Sequence, residues 1–323
     1  MLILFASLIS SKVYLRPTEE RQFIQWMRTN NKFYIGDEYH FRLGLFISHY
    51  RYCQEFNRRN GLTFRLGINQ FSCHTLSEYK SLLGSEFSTK PIKYRDHTQL
   101  VKNAPDSFDW RDKGTVNPIR NQGDCGSCWA FSTIATCETA YAITSGNLLH
   151  FSEQNLVDCS PGFGCRSGWA YIAIDYILDS QKGTFNSEDQ YPYTAVDGNC
   201  AFDSSKTVGK ITEVINTVKN DENDLKEKIA SFGVASISIH SGNTPFMSYS
   251  SGILDDDECL GQFSRIDHAV AAVGYGTENG VDFWIIRNSW GTSWGEEGYV
   301  RMVRNKGNKC YIATQAFIAI DSE

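Results

Sequence analysis

The sequence predicts an α+β fold, in which a helical N-terminal region precedes a region whose strands gather towards its C-terminal end. From Arg16 to about Tyr94 the chain is highly charged, and its apolar residues recur at helical spacing. From about Ala104 glycine and aromatic residues become frequent, and eight of the ten cysteines lie there. Because helical segments come first and strand-like segments last, the order favours α+β over an alternating α/β fold.

The first eleven residues, MLILFASLISS, form an apolar run with no charge before Lys12. This run is too short for the ~20 residues that a membrane span needs. Its length suits the apolar core of a secretory signal peptide, which we predict at residues 1–11, although the usual basic start is missing. A misassigned start or a buried strand is the alternative. A secretory route would permit disulfide bonds.

Two amphipathic helices are expected in the N-terminal region. The first places Phe23, Trp26 and Met27 on one face. In the second, Glu38 and Arg42 are four residues apart, a spacing that lets opposite charges pair. The same helix carries a stripe of largely apolar side chains: Phe46, His49, Cys53 and Phe56. A glycine, Gly61, marks its expected C-terminal end.

The C-terminal region contains two helix signals and, after them, four strand signals. The helices are expected from Ser127 to about Ile143 and from Trp169 to Leu178. The strands are expected in β-branched and aromatic runs that glycine interrupts, namely GVASISI, HAVAAVGYG, DFWIIRNSW and GYVRMVR. Between the two regions, KPIKYRDHTQLVKNAP has little periodicity, which indicates an extended linker.

The composition is that of an ordinary globular protein. With 323 residues, 41% hydrophobic and 21% charged, the chain can form one large domain or two smaller ones. The formal net charge of −6 argues against a nucleic-acid-binding protein, which usually carries a basic surface stripe. The sequence contains no internal repeat and no low-complexity tract.

The stretch QGDCGSCWAF, residues 122–131, contains Cys125 and Cys128 three positions apart. The pair could form a redox site, supply half of a zinc site, or combine a structural with a catalytic cysteine. A redox motif of this kind belongs beside a βαβ unit, and none is indicated here. A zinc site needs a second ligand pair, but Cys159 and Cys165 are six apart and no histidine pair accompanies them. The first two interpretations are therefore weaker than the third.

A catalytic cysteine needs a lowered thiol pKa, because the thiolate rather than the thiol is the nucleophile. Cys128 lies at the start of an expected helix, whose N-terminus carries partial positive charge. A histidine partner is also needed, and His268 at the mouth of the HAVAAVGYG strand is the candidate, although a lone histidine there is usually a core residue. A hairpin would bring Asn288 beside it to accept the imidazole N–H, with Trp290 shielding that bond from water.

An oxyanion that forms during acyl transfer needs hydrogen-bond donors. Gln122 precedes Cys128 by six residues, across a turn that contains glycine. Its side-chain amide and the backbone N–H of Cys128 could converge on one oxygen. The candidate catalytic residues are therefore Cys128, His268, Asn288 and Gln122.

These motifs resemble those of papain-family cysteine proteases of the cathepsin L-like branch. The matching stretches are FDWR, NQGDCGSCWAFS, SEQNLVDC, YPY, DHAVAAVGYG and NSWGTSWGEEGY, which span the chain from about Pro105 almost to its end. His268 follows Cys128 by 140 residues, within the family's spacing of roughly 130–150, and Asn288 follows it by 160. The resemblance implies a two-lobed papain-like peptidase domain at residues 104–323, with a helical left lobe and a β-barrel-like right lobe.

The resemblance extends upstream and implies a zymogen with a helical inhibitory propeptide at residues 12–103. Four positions fit the family's spaced helical pattern: Glu38, Arg42, Phe46 and Asn57. His49 stands where asparagine is usual, and Cys53 where isoleucine is usual. In the following Gly-x-Asn-x-Phe-x-Asp motif (Gly67, Asn69, Phe71), Cys73 replaces the aspartate that is associated with pH-sensed release. The linker would then thread the cleft backwards.

The family's activity implies peptide-bond hydrolysis through a thioester on Cys128, with no metal or organic cofactor. The implied partners are protein and peptide substrates, the chain's own propeptide and cystatin-like inhibitors, and the enzyme would be a monomer. The implied location is the secretory pathway, in an acidic lysosome-like vesicle or outside the cell. The implied disulfide bonds join Cys125 with Cys165, Cys159 with Cys200, and Cys259 with Cys310. Cys137 would be a buried apolar residue.

The implied substrate-binding residues are Gly168, Trp169, Ala170, Ser238, Ile266, Ala269, Gln315 and Trp294. Because most of these walls are apolar, we expect the pocket for the second residue before the cut to prefer Leu, Val or Phe. Arg166 and Ser167 replace a usual asparagine and glycine, which changes the next pocket and favours an acidic side chain there. The sequence has no histidine-bearing insertion of the kind found in dipeptidases, which favours an endopeptidase.

Three other functions stay open on the sequence alone. A non-catalytic relative could keep the fold as a binding or inhibitory protein, although the complete set of four catalytic residues argues against it. A thiol–disulfide oxidoreductase would use Cys125 and Cys128 together, so a bond between Cys125 and Cys165 would separate it from a protease. An acyl or peptidyl transferase could use the same residues if water is excluded.

Overall fold

The computed structural model describes residues 15–85, 104–260 and 265–322. The predicted signal peptide at residues 1–11 and most of the predicted linker lie outside these ranges. Residues 15–85 are called the N-terminal region below, and residues 104–322 the C-terminal region. Among the described residues, no helix combines the length and the apolar character that crossing a membrane requires.

The N-terminal region is built on two helices, α1 (Pro17–Thr29) and α2 (Gly36–Asn57). Strand β1 (Phe64–Leu66) and helix α3 (Leu76–Ser81) follow them. The first helix begins at a proline, whose fixed φ suits the first helical turn. The apolar faces of α1 and α2 meet in a cluster of buried residues: Phe23, Trp26, Leu43, Phe46, Ile47 and Cys73.

Helix α2 ends at Asn57, four residues before the predicted end at Gly61. The Asn57 side chain donates from Nδ2 to the Leu66 carbonyl (2.7 Å) and accepts the Leu66 N–H at Oδ1 (3.0 Å). These two bonds hold β1 against the end of the helix. Gly61 lies in the intervening turn with φ of +74°, a conformation that glycine adopts without steric cost.

The C-terminal region begins with the short strand β2 (Phe108–Asp109), and three helices then form a helical lobe. They are α4 (Cys128–Ser145), α5 (Glu153–Cys159) and α6 (Ala170–Asp179). The helices predicted from Ser127 and from Trp169 are thus observed as α4 and α6. The glycine after α4, Gly146, takes a positive φ of 72°, the usual left-handed end of a helix.

The remaining strands form one sheet with β1 and β2. They are β3 (Glu213–Asn216), β4 (Ala235–Ile239), β5 (Tyr249–Leu254), β6 (His268–Glu278), β7 (Val281–Arg287), β8 (Tyr299–Val303) and β9 (Ala316–Ile320). Two helices, α7 (Glu222–Phe232) and α8 (Thr244–Met247), connect strands of this sheet. The strand order is β1-β5-β8-β7-β6-β4-β9-β3, with β2 beside β6, and only β5 and β8 pair in parallel.

The four predicted strands correspond to β4, β6, β7 and β8, whereas β1, β2, β3, β5 and β9 were not predicted. Strand β5 pairs with β1, so the N-terminal region contributes a strand to the sheet of the C-terminal region. The hydrophobic cluster of the sheet also includes N-terminal side chains, among them Phe56, Phe64, Phe71 and Tyr79. The two regions are therefore packed as one body.

Helix α4 lies between the helical lobe and the sheet. It contacts α5 and α6 on one side and strands β4, β6 and β9 on the other. Residues along nearly its whole length are buried, as expected for a helix that is apolar all round. The N-terminus of α4, at Cys128, is consequently fixed where the two lobes meet.

Candidate active site

Cys128 is the first residue of α4 and is fully buried. The first backbone N–H groups of a helix have no intrahelical partner and attract negative charge. The Cys128 Sγ atom accepts the backbone N–H of Ala269 at 3.4 Å. Burial raises the pKa of the Cys128 thiol to about 12, although the N–H groups of Ala269 and Gly84 act in the opposite direction. In this state the Cys128 side chain is a neutral thiol.

His268 is the first residue of β6, directly before Ala269, and this position brings its ring beside α4. Its Nε2 atom lies 2.9 Å from Oδ1 of Asn288, which follows the end of β7. The ring stacks on Trp290 at a centroid distance of 4.7 Å and an interplanar angle of 21°. Asn288 and Trp290 thus occupy the places that the predicted hairpin assigned to them, one bonding to the imidazole and the other covering it.

The protonation state of His268 is also set by its surroundings. Burial lowers the pKa of the His268 imidazole to about 4, while the hydrogen bond to Asn288 raises it. The Nδ1 atom is buried and has no hydrogen-bond partner among the described residues. With Nε2 engaged by Asn288, Nδ1 is the nitrogen that remains free to exchange a proton.

Gln122 is fully buried, and its side chain is held from both ends. Its Oε1 accepts the hydroxyl of Ser289 (2.7 Å), the residue that follows Asn288. Its Nε2 donates to the carbonyl oxygens of Cys125 (2.8 Å) and Leu82 (2.9 Å). Since Leu82 belongs to the N-terminal region, a backbone carbonyl of that region lies where the predicted oxyanion donor points.

Residues 82–85 of the N-terminal region pass directly over Cys128. The Gly84 carbonyl accepts the N–H of Gly168 (2.8 Å), and the Ser85 N–H donates to the Asp267 carbonyl (3.1 Å). Ser85 and Gly168 form a parallel β-bridge. A Cβ atom on Gly84 would lie only 1.6 Å from the carbonyl oxygen of Gly126, so the backbone approaches as closely as glycine permits.

Three of the predicted pocket residues, Ala170, Ser238 and Gln315, line one cavity between α6 and the sheet. Its volume of about 10 Å³ is room for a single water molecule. Trp169 is half-buried, and Ala269 lies opposite Ser238 in the sheet. The Gly168 N–H faces the N-terminal region as described, and Ile266 is buried next to Asp267.

Trp294 was expected to contact substrate, but its ring is fully buried in this state. Its Nε1 donates to the Met247 carbonyl (3.2 Å), and the ring stands edge-on to Trp290 at 5.1 Å. Trp294 therefore packs against the Trp290 ring, and none of its own surface is accessible to a ligand in this state.

Comparison with known proteins assigns the arrangement to a family. The profile of the papain family cysteine protease matches residues 104–320, and that of the cathepsin propeptide inhibitor domain matches residues 23–79. The chain belongs to the papain family of cysteine proteases. It is a zymogen of the cathepsin L-like branch, a hydrolase whose N-terminal region is an inhibitory propeptide.

Relatives of this protease match it over most of their length. The digestive cysteine proteinase 1 of Homarus americanus is 39% identical over 303 residues, which cover 90% of this chain and 92% of the relative. The cathepsin L-like proteinase of Fasciola hepatica is 40% identical over 304 residues, with 90% of both chains covered. The digestive procathepsin L 3 of Tenebrio molitor superposes with a TM-score of 0.85 at 33% identity, covering 94% of this chain and all of the other. The predicted fold class and propeptide are confirmed.

Three disulfide bonds brace the protease domain. They join Cys125 to Cys165, Cys159 to Cys200, and Cys259 to Cys310, the pairs that the resemblance implied. Because Cys125 is bonded to Cys165, it does not form a redox pair with Cys128. The free cysteines among the described residues are all buried: Cys53, Cys73, Cys128 and Cys137. Burial raises the pKa of Cys137 well above its usual range.

The propeptide docks on a segment of the protease domain that the sequence did not single out, residues 241–248, which includes α8. Asn69 Nδ2 donates to the Met247 carbonyl (2.7 Å), Gly67 N–H to that of Ser248 (2.8 Å), and the Tyr79 hydroxyl to that of Ser241 (2.9 Å). Because this segment binds through its backbone carbonyls, its own side chains do not reveal the contact. The sequence pattern that indicates it is instead the propeptide motif Gly67, Asn69 and Phe71.

Arg42 shows how the propeptide holds together without the usual motif aspartate. Its guanidinium pairs with Glu38 (2.6 Å) and with both carboxylate oxygens of Glu78 (2.6 and 2.8 Å), and also donates to the Cys73 carbonyl (2.9 Å). The predicted pairing of Glu38 with Arg42 is thus observed. Glu78 was not anticipated, and its link to Arg42 fastens α3 to α2.

Proposed function

We propose that this chain is a latent cysteine endopeptidase in which Cys128 is the nucleophile. The observation that carries the proposal is the placement of the candidate catalytic residues around one point of the cleft: Cys128 accepts the N–H of Ala269, the residue next to His268, and Gln122 donates to the Leu82 carbonyl. His268 is aligned by Asn288, and Gln122 donates to the peptide carbonyl that occupies the cleft. Acyl-transfer chemistry needs a nucleophile, a proton carrier and an oxyanion donor, and we assign these roles to Cys128, His268 and Gln122.

Catalysis begins when the Cys128 thiolate attacks the carbonyl carbon of the scissile peptide bond. The carbonyl electron pair moves to oxygen, and the Gln122 amide and the Cys128 N–H stabilise that oxyanion. The His268 imidazolium gives its proton to the leaving amine as the C–N bond breaks, which leaves a thioester on Cys128. Water then attacks the thioester carbon, His268 accepts the proton of that water, and the acid product leaves while the thiolate is restored.

Asn288 serves this sequence by fixing the imidazole. Its Oδ1 atom receives the Nε2 proton of His268, so that Nδ1 faces the reaction. The stacked ring of Trp290 excludes water from that bond. A bond that is both fixed and dry favours the charged imidazolium more than a solvated one would.

The propeptide inhibits by placing its own backbone in the cleft. Leu82 presents a carbonyl to Gln122, and Gly84 and Ser85 bond to the cleft edges at Gly168 and Asp267. These residues exclude substrate and water from Cys128. The resulting desolvation accounts for the neutral thiol and the neutral imidazole of the precursor.

Substrate preference is expected to follow the small cavity beside the cleft. Its walls include Ala170, Ser238 and Gln315, and the contribution of Gln315 is polar but uncharged. We propose that after release of the propeptide it takes Leu, Val or Phe at the second residue before the cut. A peptide library scanned at that residue is the check, and a strong preference for Asp or Glu would contradict the assignment.

Relatives named as digestive proteinases and pro-cathepsins support a role in protein breakdown along the secretory pathway. We place the enzyme in an acidic vesicle or outside the cell, acting on protein and peptide substrates as a monomer, with cystatin-like proteins as inhibitors. The proposed boundaries are a signal peptide at residues 1–11, a propeptide at residues 12–103 and a protease domain at residues 104–323.

The test is labelling of the purified chain with an epoxide thiol inhibitor before and after acid incubation, followed by peptide mass mapping. We expect labelling at Cys128 only after about the first hundred residues are lost, and hydrolysis of a Leu-containing fluorogenic peptide only then. In the Cys128→Ala variant, the fragment that contains position 128 should carry no label, and the fluorogenic peptide should not be hydrolysed. Absence of labelling at Cys128 in the matured wild type would refute the proposal.

A further inference from the structure

The cleft edge beyond Gly168 carries an exposed cation that the proposed mechanism does not use. Residues Phe163 to Ser167 form a tight loop, closed by hydrogen bonds from Arg166 N–H to the Phe163 carbonyl (3.0 Å) and from Phe163 N–H to the Ser167 carbonyl (3.0 Å). The loop is further fixed by the bond between Cys165 and Cys125. Arg166 is thus presented by a backbone that hydrogen bonds close and that the disulfide ties to Cys125, three residues before Cys128.

The Arg166 side chain lies on an aromatic surface instead of extending into solvent alone. Its guanidinium carbon is 5.7 Å from the centroid of the Phe163 ring, within the range of a cation–π contact. Phe163 in turn contacts Trp169 at 5.8 Å. No carboxylate among the described residues lies within ion-pair distance of Arg166. Its charge is therefore held in place, with no ionic partner in the described part of the chain.

The path of the propeptide shows which part of a substrate would meet this charge. Counting outward from Leu82, whose carbonyl is at Gln122, Gly84 is the third residue. A Cβ on Gly126 would touch both the Gly84 Cα (3.4 Å) and the Arg166 carbonyl (3.2 Å), so the Arg166 backbone borders the third position. The propeptide residue at this position is Gly84, which has no side chain to present to the loop.

The propeptide pairs with Gly168 in parallel, and the family resemblance implies that it threads the cleft backwards, so we expect a substrate to run the opposite way and to pair with Gly168 in antiparallel fashion. Its third residue before the cut then lies beside the loop at residues 163–167. We propose that Arg166, held on Phe163, selects an acidic side chain at this third residue. This inference rests on the proposed protease function and names a substrate class for it. A guanidinium binds a carboxylate in two-pronged geometry and is fully charged at every working pH.

The experiment compares three fluorogenic peptides that differ only at the third residue before the cut, which is Glu, Gln or Lys. Each peptide carries Leu at the second residue, and each is measured with acid-matured enzyme. We expect kcat/KM for Glu to exceed that for Gln by about three- to fivefold, the range of a well-placed exposed ion pair. The Lys peptide should be the slowest. The preference should shrink in 1 M salt, where the screening length falls to about 3 Å.

Two variants identify the source of the preference. Arg166→Gln should bring the three rates together, because it removes the charge while the loop bonds are made by backbone atoms. Lys113→Gln is the control: it removes the same charge from an exposed residue outside the cleft, over the Phe108 ring, and should leave the preference unchanged. Equal rates for Glu and Gln in the wild type, or a Glu preference that survives in Arg166→Gln, would overturn the inference. Failure to cleave any of the peptides would instead overturn the proposed function.

Discussion

Cys128 and His268 are both uncharged in the precursor, although the proposed chemistry needs them as an ion pair. Burial raises the pKa of the thiol to about 12 and lowers that of the imidazole to about 4. At any pH between about 4 and 12, transfer of a proton from Cys128 Sγ to the His268 ring is therefore unfavourable. Removing residues 82–85 would return water to Cys128, which lowers the cost of both charges. The propeptide therefore controls the chemistry of the nucleophile as well as access to it.

Replacing Gln122 with alanine removes a side-chain donor to the developing oxyanion. We expect kcat of the matured enzyme to fall by about 10²- to 10³-fold with KM little changed, because the lost bond matters most in the transition state. Steady-state kinetics on preparations normalised by active-site titration would measure this. Gln190→Ala, at an exposed glutamine, is the matched control. A loss smaller than about fivefold would argue against Gln122 as an oxyanion donor.

Replacing Asn288 with alanine removes the acceptor for the His268 Nε2 proton. The hydrogen bond to Asn288 raises the pKa of His268, so its loss makes the imidazolium easier to deprotonate. We expect a lower kcat and an alkaline limb of the pH–kcat/KM profile that moves to lower pH. If kcat falls while the alkaline limb stays in place, Asn288 would not act by stabilising the imidazolium.

Among the elements, the segment after α3 depends most on a single residue type. Gly84 passes Gly126 so closely that a methyl group would meet the carbonyl carbon of Gly126 at 2.3 Å. Both contacts are backbone, so neither side can yield by rotating a side chain. The inhibitory path through the cleft is therefore open only to glycine at this position.

Gly84→Ala should consequently displace residues 82–85 from the cleft. We expect Cys128 of the uncleaved precursor to react with a thiol alkylating agent at neutral pH, where the wild type does not. Gly44→Ala provides the control, since a Cβ at this position within α2 has nothing within 4 Å. Equal protection of Cys128 in the wild type and in Gly84→Ala would mean that the segment can shift and still inhibit.

The sequence predicts the elements that carry Cys128 and His268 better than it predicts the contacts through which the propeptide blocks them. The start of α4 and the strand that begins at His268 are local features, and both were predicted. The contact of Gln122 with Leu82 and the pairing of β1 with β5 join residues far apart in the chain, so no local pattern encodes them. Glu78 is an example of a contact that the sequence did not predict. Its partner Arg42 already had Glu38 four residues away as an expected ion-pair partner, so nothing pointed to a second one.

In the whole molecule, the response to acid cannot come from the position that usually carries the motif aspartate. Cys73 occupies that position, and burial raises the pKa of its thiol to about 12. The carboxylates of Glu19 and Glu78 are bonded to Arg51 and Arg42, which lowers the pKa of both to about 2. None of these three groups changes charge between pH 6.5 and 4.

Buried histidines do respond in that interval. Burial lowers the pKa of His49 from 6.5 to about 4, with the Gly67 backbone acting in the opposite direction, and burial also lowers the pKa of His74. An unfolded propeptide would bind these protons near pH 6.5, whereas the folded one binds that of His49 only near pH 4. The propeptide fold, on which docking depends, is therefore fully stable above pH 6.5 and weakens as the pH falls towards 4. His49 lies behind Gly67, which docks on Ser248.

His49→Asn should make the precursor more resistant to acid. We expect the midpoint pH of propeptide release to fall by several tenths of a pH unit, because protonation of His49 no longer destabilises the propeptide. Labelling of Cys128 across a pH series would measure the shift. His40→Asn, which changes an exposed histidine in the same way, is the control. An unchanged midpoint would place the acid sensor elsewhere.

Because α4 is anchored in both lobes, the position of Cys128 depends on the packing of the entire protease domain. Loosening of either lobe would therefore move the helix that begins at Cys128. Heating the matured enzyme should therefore abolish activity and tertiary structure in a single cooperative step, with no temperature at which a folded but inactive form accumulates.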